Sequence, residues 1–162
     1  MKQRLDDTDR KILELLQQDS NITNAQLAHA IGLSPAPTLE RVKKLEHSGV
    51  IKGYHARVDA AAVGIGVSTF VLVNLKGHNK ENITRFTKAI AEIPEVVECH
   101  HVTGQADFML RIVCADTPAY QSLMLERVTN IDVVDNMQSM VILSTFKDSN
   151  VIPVKSDNGS AG

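Results

Sequence analysis

The stretch Ser34-Pro35-Ala36-Pro37-Thr38-Leu39-Glu40-Arg41-Val42-Lys43-Lys44-Leu45 decides how the rest of the chain is read. Ser34 is of the type that caps a helix by accepting from the free amides of the first turn. Pro35 then falls at the first helical position, where the missing N–H costs nothing. Pro37 still lies among residues whose amides have no intrahelical partner. Leu39, Val42 and Leu45 recur at three-residue steps and predict one apolar stripe. Pro37, Glu40, Arg41 and Lys44 then point roughly the other way, at about 100° per residue. A capped start with a cationic outer face suits the groove of a duplex, but also an ordinary solvated helix. The neighbours of this helix decide between them.

Upstream, Thr23 and Gln26 have the spacing of a capping box, and Ile22 can staple to Leu27 across it. That helix runs through Leu27, Ala28 and Ile31 to Gly32, which can adopt the left-handed conformation that ends helices. Two helices joined by a few residues including Gly make a helix-turn-helix, whose second helix enters the major groove. Before it, Asp6 and Asp9 mark the start of a helix carrying Ile12, Leu13, Leu15 and Leu16 and ending near Asp19. Downstream, Val50–Val58 alternates enough to predict a short β-ribbon after Ser48-Gly49, a wing offering Lys52, His55 and Arg57 to phosphates.

Charge agrees with this division. The whole chain carries −2. Residues 1–58 hold nine Lys/Arg against seven Asp/Glu, whereas residues 59–162 hold eight against twelve. Between Gly32 and Arg57 five cations (Arg41, Lys43, Lys44, Lys52, Arg57) face two anions (Glu40, Glu46). The local excess lies where phosphate contacts would need it. Apolar residues make up 43% of the 162, enough for packed cores. Two cysteines, no apolar leader and no run of about 18 apolar residues point to a soluble protein of the reducing cytoplasm, with no membrane partner.

Asp59–Gly66 is rich in small residues and predicts a linker. Beyond it, the pattern gives a strand at Val67–Leu75, a helix around Lys80–Ala91 ended by Pro94, and strands at Val96–Thr103 and Asp107–Cys114. A helix capped at Thr117-Pro118 and a last strand near Met137–Phe146 follow. The order βαββαβ predicts a ferredoxin-like domain over residues 67–148, so the fold class is α+β. Strands apolar on both sides, under helices on one face only, predict a homodimer that covers the second face. The tail at 149–162 is polar and predicts disorder.

These motifs carry a family resemblance. Leu5-Asp-x-Thr-Asp-x-x-Ile-Leu13, Asn24-x-x-Leu-Ala28, Gly32-Leu-Ser-Pro-x-Pro-Thr-Leu-Glu-Arg-Val42 and Leu45-Glu-x-x-Gly-Val-Ile51 resemble the winged helix of Lrp/AsnC (feast/famine) transcriptional regulators. Glu98-Cys-His100 and Gly104-x-x-Asp-Phe108 resemble the central hairpin of that family's effector domain, so the likeness spans about residues 4–150. It implies a sequence-specific regulator that binds double-stranded DNA. The implied DNA-binding set is Ser34, Ala36, Pro37, Glu40, Arg41, Lys43, Lys44, Lys52, His55 and Arg57. It further implies a homodimer assembling to an octamer, with an amino-acid effector held near His101, Thr103, Gly104, Gln105, Asp107, Thr129, Ser139 and Met140. Ala36 stands where relatives often have a hydroxyl residue, Asn130-Ile-Asp132 where they often have Pro-Gly, and His101 where they often have an apolar residue.

In that loop the amides of Gly104 and Gln105 suit a carboxylate and Asp107 suits an ammonium; the same residues also shape a tight turn. Cys99-His100-His101 lacks the paired spacing of a metal site, and Cys114 joins it only if the strand register allows, so no metal is expected. Nor is there a phosphate loop, nucleophile elbow or paired-carboxylate motif, so the expectation is no catalysis and no cofactor. The rival reading is a metabolic or metal-sensing module whose helical part binds protein.

Overall fold

A computed structural model describes residues 5–154 of the chain. They form two compact units, one made of residues up to Ala56 together with the chain from Lys147 onward, the other of Arg57–Phe146.

The first unit holds three helices, α1 (Asp7–Gln18), α2 (Asn24–Ile31) and α3 (Pro35–His47). Each begins where its capping chemistry sits. The Asp6 carboxylate accepts from the Asp9 amide at 2.7 Å and Asp9 returns the bond to Asp6 N, a closed capping box. Thr23 and Gln26 do the same for α2. Gly32 ends α2 at φ 73°, a conformation that a side chain disfavours, and lets Leu33 N bond Ala28 O at 2.9 Å. Ile12, Leu27 and Leu45, one from each helix, are buried at the centre, with Ile22, Val42 and Ile51 packed around them.

Three expectations are corrected here. Ser34 occupies the cap position of α3, but its side chain makes no capping bond. The prolines explain this: with Pro35 and Pro37 at the first and third helical positions, Ala36 alone among the first three residues has an amide to cap. The buried stripe of α3 is Thr38, Val42 and Leu45, while Leu39 is 42% exposed. Thr38 tolerates burial because its hydroxyl donates to Ser34 O at 2.9 Å. Finally, Val50–Val58 forms no ribbon. Val50 N and Ile51 N both bond Leu45 O, closing α3, and the Tyr54 hydroxyl donates to Glu46 at 3.0 Å. A ribbon needs a second strand, and the described residues of this unit contain none.

The polar tail differs from expectation in the part described. Gln17 donates to Ile152 O and accepts from Ile152 N, at 3.0 and 2.7 Å, so this segment is held against α1. Residues 155–162 lie outside the described residues.

The second unit is a four-stranded antiparallel sheet of β1 (Val67–Leu75), β2 (Val96–His101), β3 (Phe108–Cys114) and β4 (Val134–Val141), with α4 (Lys80–Ala91) and α5 (Thr117–Leu123). The spatial order β2-β3-β1-β4 is the ferredoxin-like arrangement the element order predicts. The side chains of Val71, Val73, Phe108, Leu110 and Ile112 meet Phe86 and Ile90 of α4 in one core. Phe86 and Phe108 stack at a tilt, 4.7 Å between centroids.

The boundaries shift where side chains outside the hydrophobic pattern decide. Asp116, not Thr117, caps α5 through Ala119 N at 2.8 Å. The helix then widens into one i→i+5 turn over Met124–Val128, a form found often at functional positions. β4 runs three residues earlier at its start and five earlier at its end than Met137–Phe146; Leu143 and Phe146 are almost fully exposed beyond it. In the linker region a short 3₁₀ turn forms at Ala61–Val63, and the Asp59 carboxylate accepts from Ala62 N at 3.0 Å.

Candidate DNA-reading helix and effector hairpin

Because Thr38 rather than Leu39 opens the buried stripe, the outward face of α3 turns accordingly. At about 100° per residue it is centred on Ala36, Glu40, Lys43 and His47, with Leu39 on one flank and Pro37 and Lys44 on the other. All seven are exposed, as is Ser34. Lys43 pairs with Glu40 at 3.2 Å, an exposed contact that a phosphate could displace. His47 Nδ1 lies 2.6 Å from Lys43 O. His47 and Leu39 are absent from the expected DNA-binding set, and the spacing predicts Leu39 in the core stripe. The signal that would have found them is the helical phase, which depended on recognising Thr38 as buried.

Arg41 does not stand free on this face. Its Nη1 lies 2.7 Å from both Asp6 Oδ2 and Asp9 Oδ1, across the gap from α3 to the start of α1. The Asp9 amide, and next the Arg41 guanidinium, hold the Asp6 carboxyl below its ordinary value. The start of α3 is tied separately, by Asn24 Nδ2 donating to Pro35 O at 2.8 Å. Lys52 and His55 are exposed on the extended segment after α3. Arg57 falls in the other unit. Burial, and then the neighbouring Glu46 carboxylate, push the Tyr54 phenol up to about 12.

In the second unit the β2–β3 hairpin turns at Thr103, Gly104 and Gln105, all exposed. Gly104 has φ 120°, a region that favours glycine, and a Cβ there would meet nothing within 4 Å. His101, at the end of β2, stacks on Phe108 at 4.8 Å. Asp107 is half-buried and already engaged: Oδ2 accepts from Leu75 N at 2.8 Å and Oδ1 meets His78 Nδ1 at 2.9 Å. Its backbone accepts from Val102 N within the hairpin and donates to Val73 O of β1.

The other three residues of the expected pocket stand apart from this loop. The Ser139 hydroxyl bonds the Tyr120 hydroxyl of α5. Met140 pairs with Phe70, whereas Phe108 pairs with Val73 on the other side of β1. That offset is about 10 Å along the strand, besides the two strand spacings across it. The Thr129 hydroxyl closes the wide turn by donating to Met124 O and Leu125 O. A single chain thus brings His101–Asp107 together and leaves Thr129, Ser139 and Met140 elsewhere. Asn130, where relatives often have Pro-Gly, ties that turn through Glu126 O, and Asp132 pairs with Arg85. On the register, Cys99 pairs with Leu110, while Cys114 lies four residues further along β3, opposite Val67. Burial raises both thiols.

The face of the sheet away from the helices carries Phe70, Leu72, Met109 and Met140 next to the group Glu98, His100 and Arg111. Glu98 accepts from Arg111 at 2.9 Å and lies 3.1 Å from His100 Nε2. These contacts, His100 first, hold the Glu98 carboxyl below its ordinary value.

A helix-turn-helix with an exposed reading helix, joined to a ferredoxin-like sheet with a polar hairpin, is the arrangement of a DNA-binding regulator with a ligand-binding domain. Family models agree on both parts: residues 5–52 match a winged helix-turn-helix DNA-binding domain and residues 68–152 match the Lrp/AsnC ligand binding domain. The chain belongs to the Lrp/AsnC family of transcriptional regulators.

Among its relatives, the leucine-responsive regulatory protein of Rhizobium meliloti is 39% identical over 145 residues, covering 90% of this chain and 93% of that one. The transcriptional regulator AzlB of Bacillus subtilis is 36% identical over 150 residues, covering 93% and 96%. Among solved structures, a transcriptional regulator from Neisseria meningitidis in complex with L-Met superposes with a TM-score of 0.87 at 31% identity, over 93% of this chain and 97% of that one. The winged helix-turn-helix match replaces the reading of the helical part as a protein-binding module. No helix among the described residues is long and apolar enough to cross a membrane.

Proposed function

We propose that this regulator reads duplex DNA with the outward face of α3 and responds to a free amino acid held at the β2–β3 hairpin. The observation that carries the first part is the exposed array of Ala36, Pro37, Glu40, Lys43 and Lys44 on a helix whose opposite side is packed on α1 and α2. Lys43 and Lys44 supply phosphate contacts, Glu40 accepts from a cytosine amino group, and Ala36 and Pro37 meet thymine methyls. The Ser34 hydroxyl, free of capping duty, donates to a phosphate. Lys52, His55 and Arg57 add backbone contacts.

For the effector, the exposed amides of Gly104 and Gln105 receive the carboxylate, and Asp107 receives the ammonium in place of His78. The relative solved with L-Met supports an amino acid as the ligand class. One chain does not gather the eight expected residues, so the pocket is completed between subunits. The chain pairs through the apolar sheet face around Phe70 and Leu72 as a homodimer, and dimers assemble further, to an octamer. The paired reading helices then address two half-sites.

A gel-shift titration against genomic fragments, including the gene's own promoter, tests the DNA reading; failure to shift any fragment at low salt overturns it. Calorimetry with a panel of amino acids tests the effector reading, and a silent panel overturns it while leaving DNA binding intact.

A further inference from the structure

We infer that Arg41 is a positioning residue, which sets the angle of α3 against α1 through Asp6 and Asp9 and does not itself touch DNA. The inference rests on the DNA-binding reading above and specifies which cations of α3 do the reading.

The geometry leaves Arg41 little freedom. Asp6 gives Oδ1 to the Asp9 amide and Oδ2 to Arg41; Asp9 gives Oδ2 to the Asp6 amide and Oδ1 to Arg41. All four carboxylate oxygens are used, and one guanidinium nitrogen bridges both acids at 2.7 Å. The Asp9 side chain is only 8% exposed, so its charge needs this partner. The capping box fixes both carboxylates to the first turn of α1, so Arg41 is held by a rigid acceptor. On α3, Arg41 lies about 60° from the buried stripe, off the outward face centred on Glu40 and Lys43. Ile12, Val42 and Leu45 share the apolar cluster of this unit. The clamp adds a directional tie between α3 and the first turn of α1.

The test uses the full-length protein and the genomic duplex it shifts most tightly. The double variant Asp6→Asn/Asp9→Asn keeps an amide oxygen to accept each of the two capping-box bonds but removes two negative charges. Screening alone predicts tighter DNA binding. Loss of positioning predicts binding to the specific duplex weaker by about tenfold, with binding to random duplex no weaker. Equal or tighter specific binding overturns the inference. For Arg41→Met the same loss is expected with the slope of log affinity against log salt unchanged; a slope smaller by about one marks a phosphate contact and overturns it. Melting curves confirm that the variants stay folded at the assay temperature; if Arg41→Met does not, the asparagine pair decides. A native protein that shifts no duplex overturns the DNA-binding reading, and with it this one.

Discussion

Asp107 Oδ2 accepts the Leu75 amide proton at 2.8 Å, tying the β2–β3 hairpin to the last residue of the central strand. The residue proposed to hold the effector's ammonium therefore also holds the sheet together, and the two roles separate by substitution. Asp107→Ala leaves the Leu75 amide without its acceptor and is expected to cost about 1–3 kcal/mol of stability as well as effector affinity. Asp107→Asn keeps an acceptor for Leu75 but loses the charge. It is expected to melt close to the native protein while losing amino-acid binding in calorimetry. An asparagine variant that binds as well as the native protein would remove Asp107 from the ligand site.

Lys43 and Lys44 are expected to act as phosphate contacts. Alanine at either position should weaken binding to specific and random duplexes alike and lower the salt slope by about one. Glu40→Ala should instead change which base pairs are preferred, read by selection from a randomised duplex.

Leu45 is fully buried where the three helices meet. Leu45→Ala is expected to destabilise the helical unit by about 2–5 kcal/mol, since the neighbours on three helices close a cavity only in part. Leu39→Ala, at an exposed position of the same helix, should stay within about 0.5 kcal/mol. Thermal unfolding of the two variants distinguishes the buried stripe found here from the one the spacing predicts.

The Asp6 carboxyl lies below its ordinary value of 3.8, mainly through the Asp9 amide and then Arg41. A depressed carboxyl contributes stability that is present above the unfolded value and is lost as pH falls through the folded one. The helical unit should therefore weaken on acidification below about pH 4, and Asp6→Asn should flatten that part of the profile. Denaturant titrations from pH 6 to pH 2 measure it.

The apolar face opposite the helices is expected to form the dimer. Leu72→Asp places a charge among Phe70, Met109 and Met140 and should yield monomers by sedimentation. A native-like sedimentation coefficient in that variant would move the interface elsewhere.

Most of the architecture is legible in the chain because it rests on local chemistry. Asp6 with Asp9, Thr23 with Gln26, and Gly32 mark helix ends through bonds spanning three to five residues, and the order of apolar runs suffices for βαββαβ. The proline pair in α3 with the Gly104-x-x-Asp107 turn suffices for the family. Most of what the chain alone does not reveal depends on neighbours remote in sequence. Spacing treats Leu39 as buried and Thr38 as polar, but Thr38 satisfies its hydroxyl within its own turn, and that rotates the reading face. Arg41 looks like a groove cation until the fold sets it beside two aspartates some thirty residues upstream. The ribbon over Val50–Val58 does not form because alternation alone cannot supply a partner strand. Asp107 finds its partners at Leu75 and His78, about thirty residues upstream, which no local pattern announces. Periodicity and capping thus determine where the elements are, since those energies are local. Only the tertiary structure decides which charges remain free for DNA or a ligand, because a charge takes the nearest fixed partner, and that partner comes from another part of the chain.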